Sequence, residues 1–189
     1  MMSLFPSRVR HAVRAGGVSL GVFTVIVGLV YPLCMVGIGA VALPHQAGGS
    51  VMSDSAGHHR GSSLLAQQPR EGDDSWFFPR PSAGEGQASN ASPDDPAFRT
   101  EVEKRRREVA MRESLSPGKV PAEALAASGS GVDPHISREY AEVQVPRVSR
   151  HTGISEARLH DLVVHSQQSG DLVNVTTLNA AVAQDIGSH

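Results

Sequence analysis

The chain has 189 residues, of which 40% are hydrophobic and only 4% aromatic, and its formal net charge is −2. This slightly acidic balance argues against nucleic acid as a partner, because proteins that bind DNA or RNA neutralise phosphates with an excess of Lys and Arg. The single cysteine, Cys34, excludes an intramolecular disulfide and a cysteine-ligated metal site.

The most apolar stretch of the sequence covers residues 18–43 and predicts one membrane-spanning helix. No charged side chain occurs between Ala15 and Ser53. A helix over residues 18–43 reaches roughly 39 Å, and the apolar core of a bilayer is about 30 Å thick. Pro32 lies inside the stretch and predicts a bend there, because proline removes a backbone donor from the helix.

The charges beside this stretch predict its orientation. Three arginines lie just before it: Arg8, Arg10 and Arg14. After it, the next Lys or Arg is Arg60. Because positively charged flanks stay in the cytoplasm, we expect a single-pass protein of the cell membrane with a cytoplasmic N-terminus and an extracytoplasmic C-terminal part. The alternative is a cleaved signal peptide, since residues 40–42 read Ala-Val-Ala, but signal peptides have a shorter apolar region of about 7 to 15 residues.

One side of the expected span carries small side chains that suit packing against another transmembrane helix. Gly17, Gly21, Thr24 and Gly28 recur at helical spacing, so that a regular helix places them in one stripe. Small residues let two helix backbones approach closely in lipid. Glycine is also common in membrane helices without a packing role, so both interpretations stay open.

After the span, the pattern predicts a linker and then a folded domain. Residues 44–61 are rich in Gly, Ser and His without periodicity, and predict a juxtamembrane linker or irregular loop. We expect residues 61–67 to form a short strand or turn that carries Leu64 and Leu65 inward. The aromatic run at residues 76–78 predicts a plug in a small core in preference to a ligand site.

A charged helix is predicted next, after a small and polar loop at residues 83–93. Asp95 is expected to cap this helix with Pro96 at its first position, and the Ser-Pro-Gly at 116–118 to end it. Its buried face is expected to hold three apolar residues: Phe98, Val102 and Val109. The basic run at 104–107 alternates with glutamates at spacings of three and four, which indicates a solvated helix surface and not an anion site.

Four residues in the middle of the chain could be read as an active site. Ser128 or Ser130 as nucleophile, with His135 as base and Asp133 as orienting acid, would have the composition of a catalytic triad. Residue types this common also occur together by chance, so a membrane-tethered hydrolase is only an alternative function. No lysine and helix follow the glycines around Ser130, as a phosphate-binding loop would require.

The C-terminal third predicts helices with one short strand. Ser137 is expected to cap a helix that runs to about residue 151 and is interrupted by Pro146. Ser155 is expected to cap the next helix, with Ile154 and Leu159 forming a hydrophobic staple across that helix start.

A strand is predicted at residues 172–175, and Thr176 or Thr177 is expected to start a last helix with Leu178 and Val182 inward. The fold class is therefore a single N-terminal transmembrane helix followed by a small mixed α/β (α+β) extracytoplasmic domain. The expected division is a cytoplasmic N-terminus at 1–17, a transmembrane helix at 18–43, a linker at 44–61 and the domain at 62–189.

Several short motifs along the chain resemble one family. These are Tyr-Pro at 31–32 with Leu-Pro-His-Gln-Ala at 43–47, a GSxLIGQ-like element at 61–67, Pro-Arg-Pro-Ser-Ala at 79–83, Ala-Ser-Gly-Ser-Gly-Val-Asp-Pro-His-Ile-Ser at 127–137, and a VNVxxLN element at 173–179. Together they are similar to the C subunit of the Kdp potassium-transporting P-type ATPase. The residues that carry the resemblance are Gln67, Arg80, Ser128, Gly129, Ser130, Gly131, Asp133, Pro134, His135, Asn174 and Asn179. Compared with the family, the loop near Ser89 and the segment before Val173 are shortened.

The resemblance implies a non-catalytic subunit of a high-affinity potassium uptake pump. Its expected partners are a potassium-selective membrane subunit, an ATP-hydrolysing membrane subunit and the lipid bilayer. It implies a role as a catalytic chaperone that raises the ATP affinity of the hydrolysing subunit, with no cofactor of its own and with ATP and Mg bound through that partner. A secreted binding module, released after residue 42, is a further alternative.

Overall fold

The computed structural model describes residues 7–54, 57–81, 86–87, 90–168 and 170–187. The chain divides into two compact units, Met1–Ser50 and Val51–His189. Much of the loop expected at 83–93 lies outside the described residues.

The first unit is built on one long apolar helix. Helix α1 (Ser7–Val25) continues through a π-helical turn (Ile26–Val30) into α2 (Tyr31–Ala42). The combined helix is long and apolar enough to cross a membrane, and an 18-residue window within it has a mean hydropathy of 2.3. This confirms the expected single apolar N-terminal helix.

The π turn lies directly before Pro32. Within it, the Tyr31 N–H donates to the Ile26 carbonyl, five residues back. A proline in a regular helix would crowd the carbonyl four residues before it and leave that carbonyl unbonded. We therefore attribute the wider turn to Pro32, since π turns are rare elsewhere in helices.

The irregular structure predicted for residues 44–61 is wrong. A short helix, α3 (Pro44–Ala47), is followed by two antiparallel strands, β1 (Val51–Ser53) and β2 (His59–Ser62), with Val51 opposite Ser62. The turn between the strands is closed by the Gly57 N–H, which donates to the Asp54 carbonyl at 3.0 Å. Gly57 has a φ of 82°, which residues with a Cβ rarely adopt.

The second unit continues as a small helical domain with a second two-stranded sheet. The helices are α4 (Pro96–Glu113), α5 (Arg138–Glu142), α6 (Val145–Thr152), α7 (Glu156–His165) and α8 (Val175–Gly187), with 3₁₀ turns at Pro117–Lys119 and Ala122–Leu125. Strands β3 (His135–Ser137) and β4 (Leu172–Asn174) pair antiparallel, with His135 opposite Asn174. This agrees with the expected mixed α/β (α+β) domain.

Side-chain caps fix the starts of these helices. The Asp95 carboxylate accepts from the Ala97 N–H at 2.8 Å, and the Ser137 hydroxyl accepts from the Tyr140 N–H at 3.1 Å. Ser155 caps α7 in the same way. All three caps were predicted, because a cap depends on residues close in sequence.

The start of α8 differs from the prediction. Asn174, and not Thr176 or Thr177, is the cap, since its Oδ1 accepts from both threonine N–H groups at 3.1 Å. The helix therefore begins at Val175, and the predicted strand ends one residue earlier. Leu178 and Val182 are buried, as expected.

The aromatic run supplies the core as predicted, whereas the two leucines before it do not. Phe77 is fully buried and Trp76 packs against the core. Leu64 and Leu65 are 59% and 48% exposed, so the inward placement predicted for them is wrong. Ala66 is buried instead, because its N–H donates to the Val132 carbonyl at 2.8 Å and holds this point of the chain against the domain.

The basic run on α4 forms ion pairs along the helix surface. Lys104 lies 3.8 Å from Glu108, Arg105 3.0 Å from Glu101, and Arg106 3.2 Å from Glu103. The interpretation as a solvated, paired surface is confirmed.

Candidate functional site

Arg80, one of the motif residues, binds both ends of the loop that precedes β3. Its Nε and Nη2 donate to the carbonyls of Ala126 and Ala127 at 3.2 and 2.9 Å. Its Nη1 lies 3.8 Å from the Asp133 carboxylate. One guanidinium thus joins the segment after Phe78 to residues 126–133, since Arg presents several donors in a rigid fork.

The middle of the same loop packs against another part of the backbone. Gly131 has a φ of 73°, and a Cβ there would lie 2.3 Å from the carbonyl oxygen of Gln87. A Cβ added at Gly129 would meet no atom within 4 Å. A close backbone approach therefore requires glycine at position 131 but not at position 129.

His135 is held between two oxygen atoms at the start of β3. Its Nδ1 lies 2.9 Å from Asp133 Oδ1, and its Nε2 lies 2.9 Å from Gln168 Oε1. Burial disfavours the charged imidazole, but the hydrogen bonds to Gln168 and Asp133 and the charge of Asp133 outweigh it, so the pKa of His135 is raised. The protonated ring can donate to both oxygens at once.

The structure does not assemble the hydrolase alternative. Both ring nitrogens of His135 face Asp133 and Gln168, and neither Ser128 nor Ser130 is hydrogen-bonded to the ring in the described part of the chain. Ser128 is 2% exposed with an unpartnered hydroxyl, and the Ser130 hydroxyl accepts from the Val132 N–H at 3.3 Å. A nucleophile needs a base within hydrogen-bond reach, and this arrangement supplies none.

Asparagine and glutamine side chains hold the aromatic segment in place. Asn179 accepts from the Phe77 N–H at 2.8 Å and donates to the Phe77 carbonyl at 2.9 Å. Gln144 does the same for Phe78, at 2.7 and 3.1 Å. These amides replace the hydrogen bonds that a neighbouring strand would supply, because buried backbone groups need partners.

Beneath this segment lies a buried ionic cluster that the sequence reasoning missed. Arg147, 2% exposed, binds the Glu113 carboxylate at 2.9 Å and the Trp76 carbonyl at 2.9 Å. Arg112 binds the other Glu113 oxygen at 2.7 Å and lies 4.0 Å above the Phe78 ring. Residues 113 and 147 lie far apart in the sequence, so the only local signal was a charged residue between the apolar Val145 and Val148.

Tyr140 completes the cluster. Its hydroxyl accepts from Arg112 Nη2 at 3.0 Å, and burial raises the pKa of Tyr140 against the lowering effect of Arg112. The phenol therefore stays protonated and neutral at physiological pH.

The remaining motif residues also bind backbone atoms. Gln67 donates to the Arg60 carbonyl at 2.8 Å and lies against Gly61, where a Cβ would meet Gln67 Nε2. Asn174 donates to the Ser63 carbonyl at 2.8 Å. The Val175 N–H donates to the Pro134 carbonyl at 2.8 Å. Asn174 and Pro134 thus join segments that are far apart in the sequence, whereas Gln67 binds a residue only seven positions before it.

The loop that precedes β3 lacks the features of a phosphate-binding loop. The glycine-containing loop leads into strand β3 and not a helix, the Asp133 carboxylate lies beside it, and the Gln87 backbone fills the space at Gly131. A phosphate needs backbone N–H groups and positive charge instead. In the part of the chain that the structure describes, no three His, Cys, Asp or Glu side chains could hold a metal ion together.

The glycines of the transmembrane stripe have open surroundings. A Cβ at Gly17, Gly21 or Gly28 would meet no atom within 4 Å. The helix surface is thus open there, and a packing role for these residues and Thr24 stays a prediction.

Comparison with known proteins assigns a single family to these features. The family model described as K+-transporting ATPase, c chain (KdpC), matches residues 13–184. A potassium-transporting ATPase KdpC subunit of Pseudomonas entomophila is 40% identical over 168 residues, which cover 84% of this chain and 87% of the relative. The corresponding subunit of Geobacter sulfurreducens is 40% identical over 177 residues, with 85% and 91% covered, and that of Caulobacter sp. is 35% identical over 189 residues, with 93% and 95% covered.

Proposed function

The chain belongs to the KdpC family of K+-transporting ATPase c chains, and from this premise we propose that it stabilises the assembled pump and raises the ATP affinity of the ATP-hydrolysing subunit. The chain is an accessory subunit of that ATPase and not its catalytic subunit. Its partners in the proposal are the potassium-selective and ATP-hydrolysing membrane subunits, and ATP with Mg is bound by the latter.

The observation that carries the proposal is the use made of the motif residues. Arg80, Asn174 and Asn179 each bind backbone atoms of distant segments, and His135 is engaged by Asp133 and Gln168. The polar side chains of these motifs stabilise the fold. This is more typical of a domain that binds another protein than of an enzyme. This supports a role through contact with other subunits.

The proposed location is the cell membrane, with the N-terminus in the cytoplasm and the second unit outside. The apolar helix and the arginines at its start support this orientation. ATP is cytoplasmic, so an outer domain would act on ATP affinity indirectly, by favouring one conformation of the pump. Photolabelling of the second unit by an ATP analogue, supplied only inside sealed right-side-out vesicles, would contradict this indirect coupling.

Assembly through the transmembrane stripe can be tested by co-purification with a tagged ATP-hydrolysing subunit in mild detergent. We expect the unmodified chain to co-purify and a chain with Gly21→Leu and Gly28→Leu to be lost, because two bulky side chains would separate the helix backbones. Gly16→Leu is the matched control, since it lies about 100° around the helix from Gly17. Failure of the unmodified chain to co-purify would refute assembly, and equal recovery of all variants would refute the role of the stripe.

A further inference from the structure

Two adjacent leucines project from the second unit on a rigidly held turn. Leu64 and Leu65 are 59% and 48% exposed. Among the described residues of this unit, they are the only neighbouring pair of large apolar side chains exposed to this extent. We call residues 63–66 the leucine tip.

Buried side chains fix the backbone of the leucine tip from below. Asn174, 1% exposed, donates to the Ser63 carbonyl at 2.8 Å, and Thr176, 5% exposed, donates from its hydroxyl to the Leu65 carbonyl at 2.8 Å. The Ala66 N–H donates to the Val132 carbonyl at 2.8 Å. With the carbonyls turned inward and held, the leucine side chains face outward.

The tip lies where the chain enters this unit from the apolar helix. Ser62, directly before the tip, pairs with Val51, the first residue of the unit. Residues 43–50 alone connect Val51 to Ala42, and even fully extended they span at most roughly 30 Å. Because α3 takes up part of this connection, the tether is shorter. The two leucines therefore follow the apolar helix after only a short connection in the chain.

We propose that the leucine tip inserts into an apolar pocket on the extracytoplasmic face of a membrane-embedded partner subunit. This inference rests on the proposed function. A backbone that is already fixed loses little conformational entropy on binding, which favours binding to a shaped protein pocket. Insertion into lipid needs no such fixed geometry. Loops that enter the lipid interface also tend to carry Trp, Tyr or free cations, while the tip has no aromatic residue and the nearby Arg60 is bound to Asp54 at 2.9 Å.

The test is site-specific photo-crosslinking in the intact, membrane-embedded complex. A diazirine-bearing amino acid is placed at position 64, and the matched control is position 164, because Val164 is an aliphatic residue with a similar exposure of 44%. We expect position 64 to crosslink to a membrane subunit and position 164 not to. Crosslinks to lipid alone, no crosslink in an intact complex, or equal crosslinking from position 164 would each overturn the inference.

A second variant measures the contribution of the tip to assembly. Replacing both residues (Leu64→Ser and Leu65→Ser) should speed dissociation of the chain from the purified complex by on the order of tenfold, because half-buried leucines lose apolar contact area. The control Val164→Ser should leave the dissociation rate unchanged. An unchanged dissociation rate in the double variant would contradict the inference. If the unmodified chain does not assemble at all, the proposed function fails; if it assembles and the double variant dissociates normally, only the inference fails.

Discussion

Replacing Arg147 with methionine should severely destabilise the second unit. The Arg147 side chain is 2% exposed and that of Glu113 is 0% exposed. Arg147 donates to the Glu113 carboxylate, to the carbonyls of Asp74 and Trp76, and to Gln144 Oε1. Methionine has a similar length but no donor, so all four hydrogen bonds are lost.

The expected cost follows from the loss of one partner of a buried ion pair, which is about 3–5 kcal/mol. Arg112 still binds Glu113 at 2.7 Å, which limits the cost, whereas the two freed carbonyls add to it. Domains have total stabilities of about 5–15 kcal/mol, so about a fifth or more of the stability would be lost. With a denaturant dependence near 2 kcal/mol per molar urea, the urea midpoint should fall by about 2 M.

The assay is urea unfolding of the full chain in mild detergent, followed by the fluorescence of Trp76. Trp76 is the only tryptophan and its carbonyl accepts from Arg147, so it reports on this cluster. The matched control is Arg158→Met, which removes an exposed pair with Asp185 and should barely move the midpoint. Equal midpoints for the two variants would refute the interpretation of Arg147 as a structural centre.

Two further predictions concern the loop before β3. Gly131→Ala should lower the thermal midpoint of the second unit by several degrees, whereas Gly129→Ala should not. The reason is that position 131 alone of the two has a φ of 73° and a backbone carbonyl oxygen 2.3 Å from the added Cβ. Equal midpoints for the two variants would contradict the close approach. Because the pKa of His135 is raised in the folded state, the stability that its protonation contributes is present in full below its ordinary pKa and is lost as pH rises through the raised value. Histidine NMR titration should report the raised pKa and a lower one in Asp133→Asn, whereas an unchanged pKa in that variant would argue against the contact with Asp133.

Local features were predictable from the sequence because they depend on neighbouring residues. The caps at Asp95, Ser137 and Ser155 and the single apolar helix follow from spacing and composition over a few turns. The cap at Asn174 was assigned to the following threonines instead, because Asn174 also belongs to strand β4 and only its side-chain geometry shows that it caps α8.

The features that depend on distant contacts could not be predicted in this way. Arg147 and Glu113 are 34 residues apart, and each alone looks like a solvated helix charge. Leu64 and Leu65 were expected inside because they are apolar, but Asn174 and Thr176 bind the carbonyls of their turn, which leaves the side chains outside. The triad interpretation of the residues around His135 also depended on distant contacts, because its Nε2 faces Gln168, 33 residues away, and neither serine.

The most direct test of an accessory role without chemistry compares the apparent ATP affinity of potassium-stimulated hydrolysis in three complexes: with the unmodified chain, without the chain, and with Ser128→Ala and Ser130→Ala together. The double variant removes both candidate nucleophiles and leaves the contact between Asp133 and His135 intact, and co-purification verifies its assembly. We predict high ATP affinity with the unmodified chain and with the double variant, and lower affinity without the chain. A double variant that assembles but behaves like the complex lacking the chain would contradict the account.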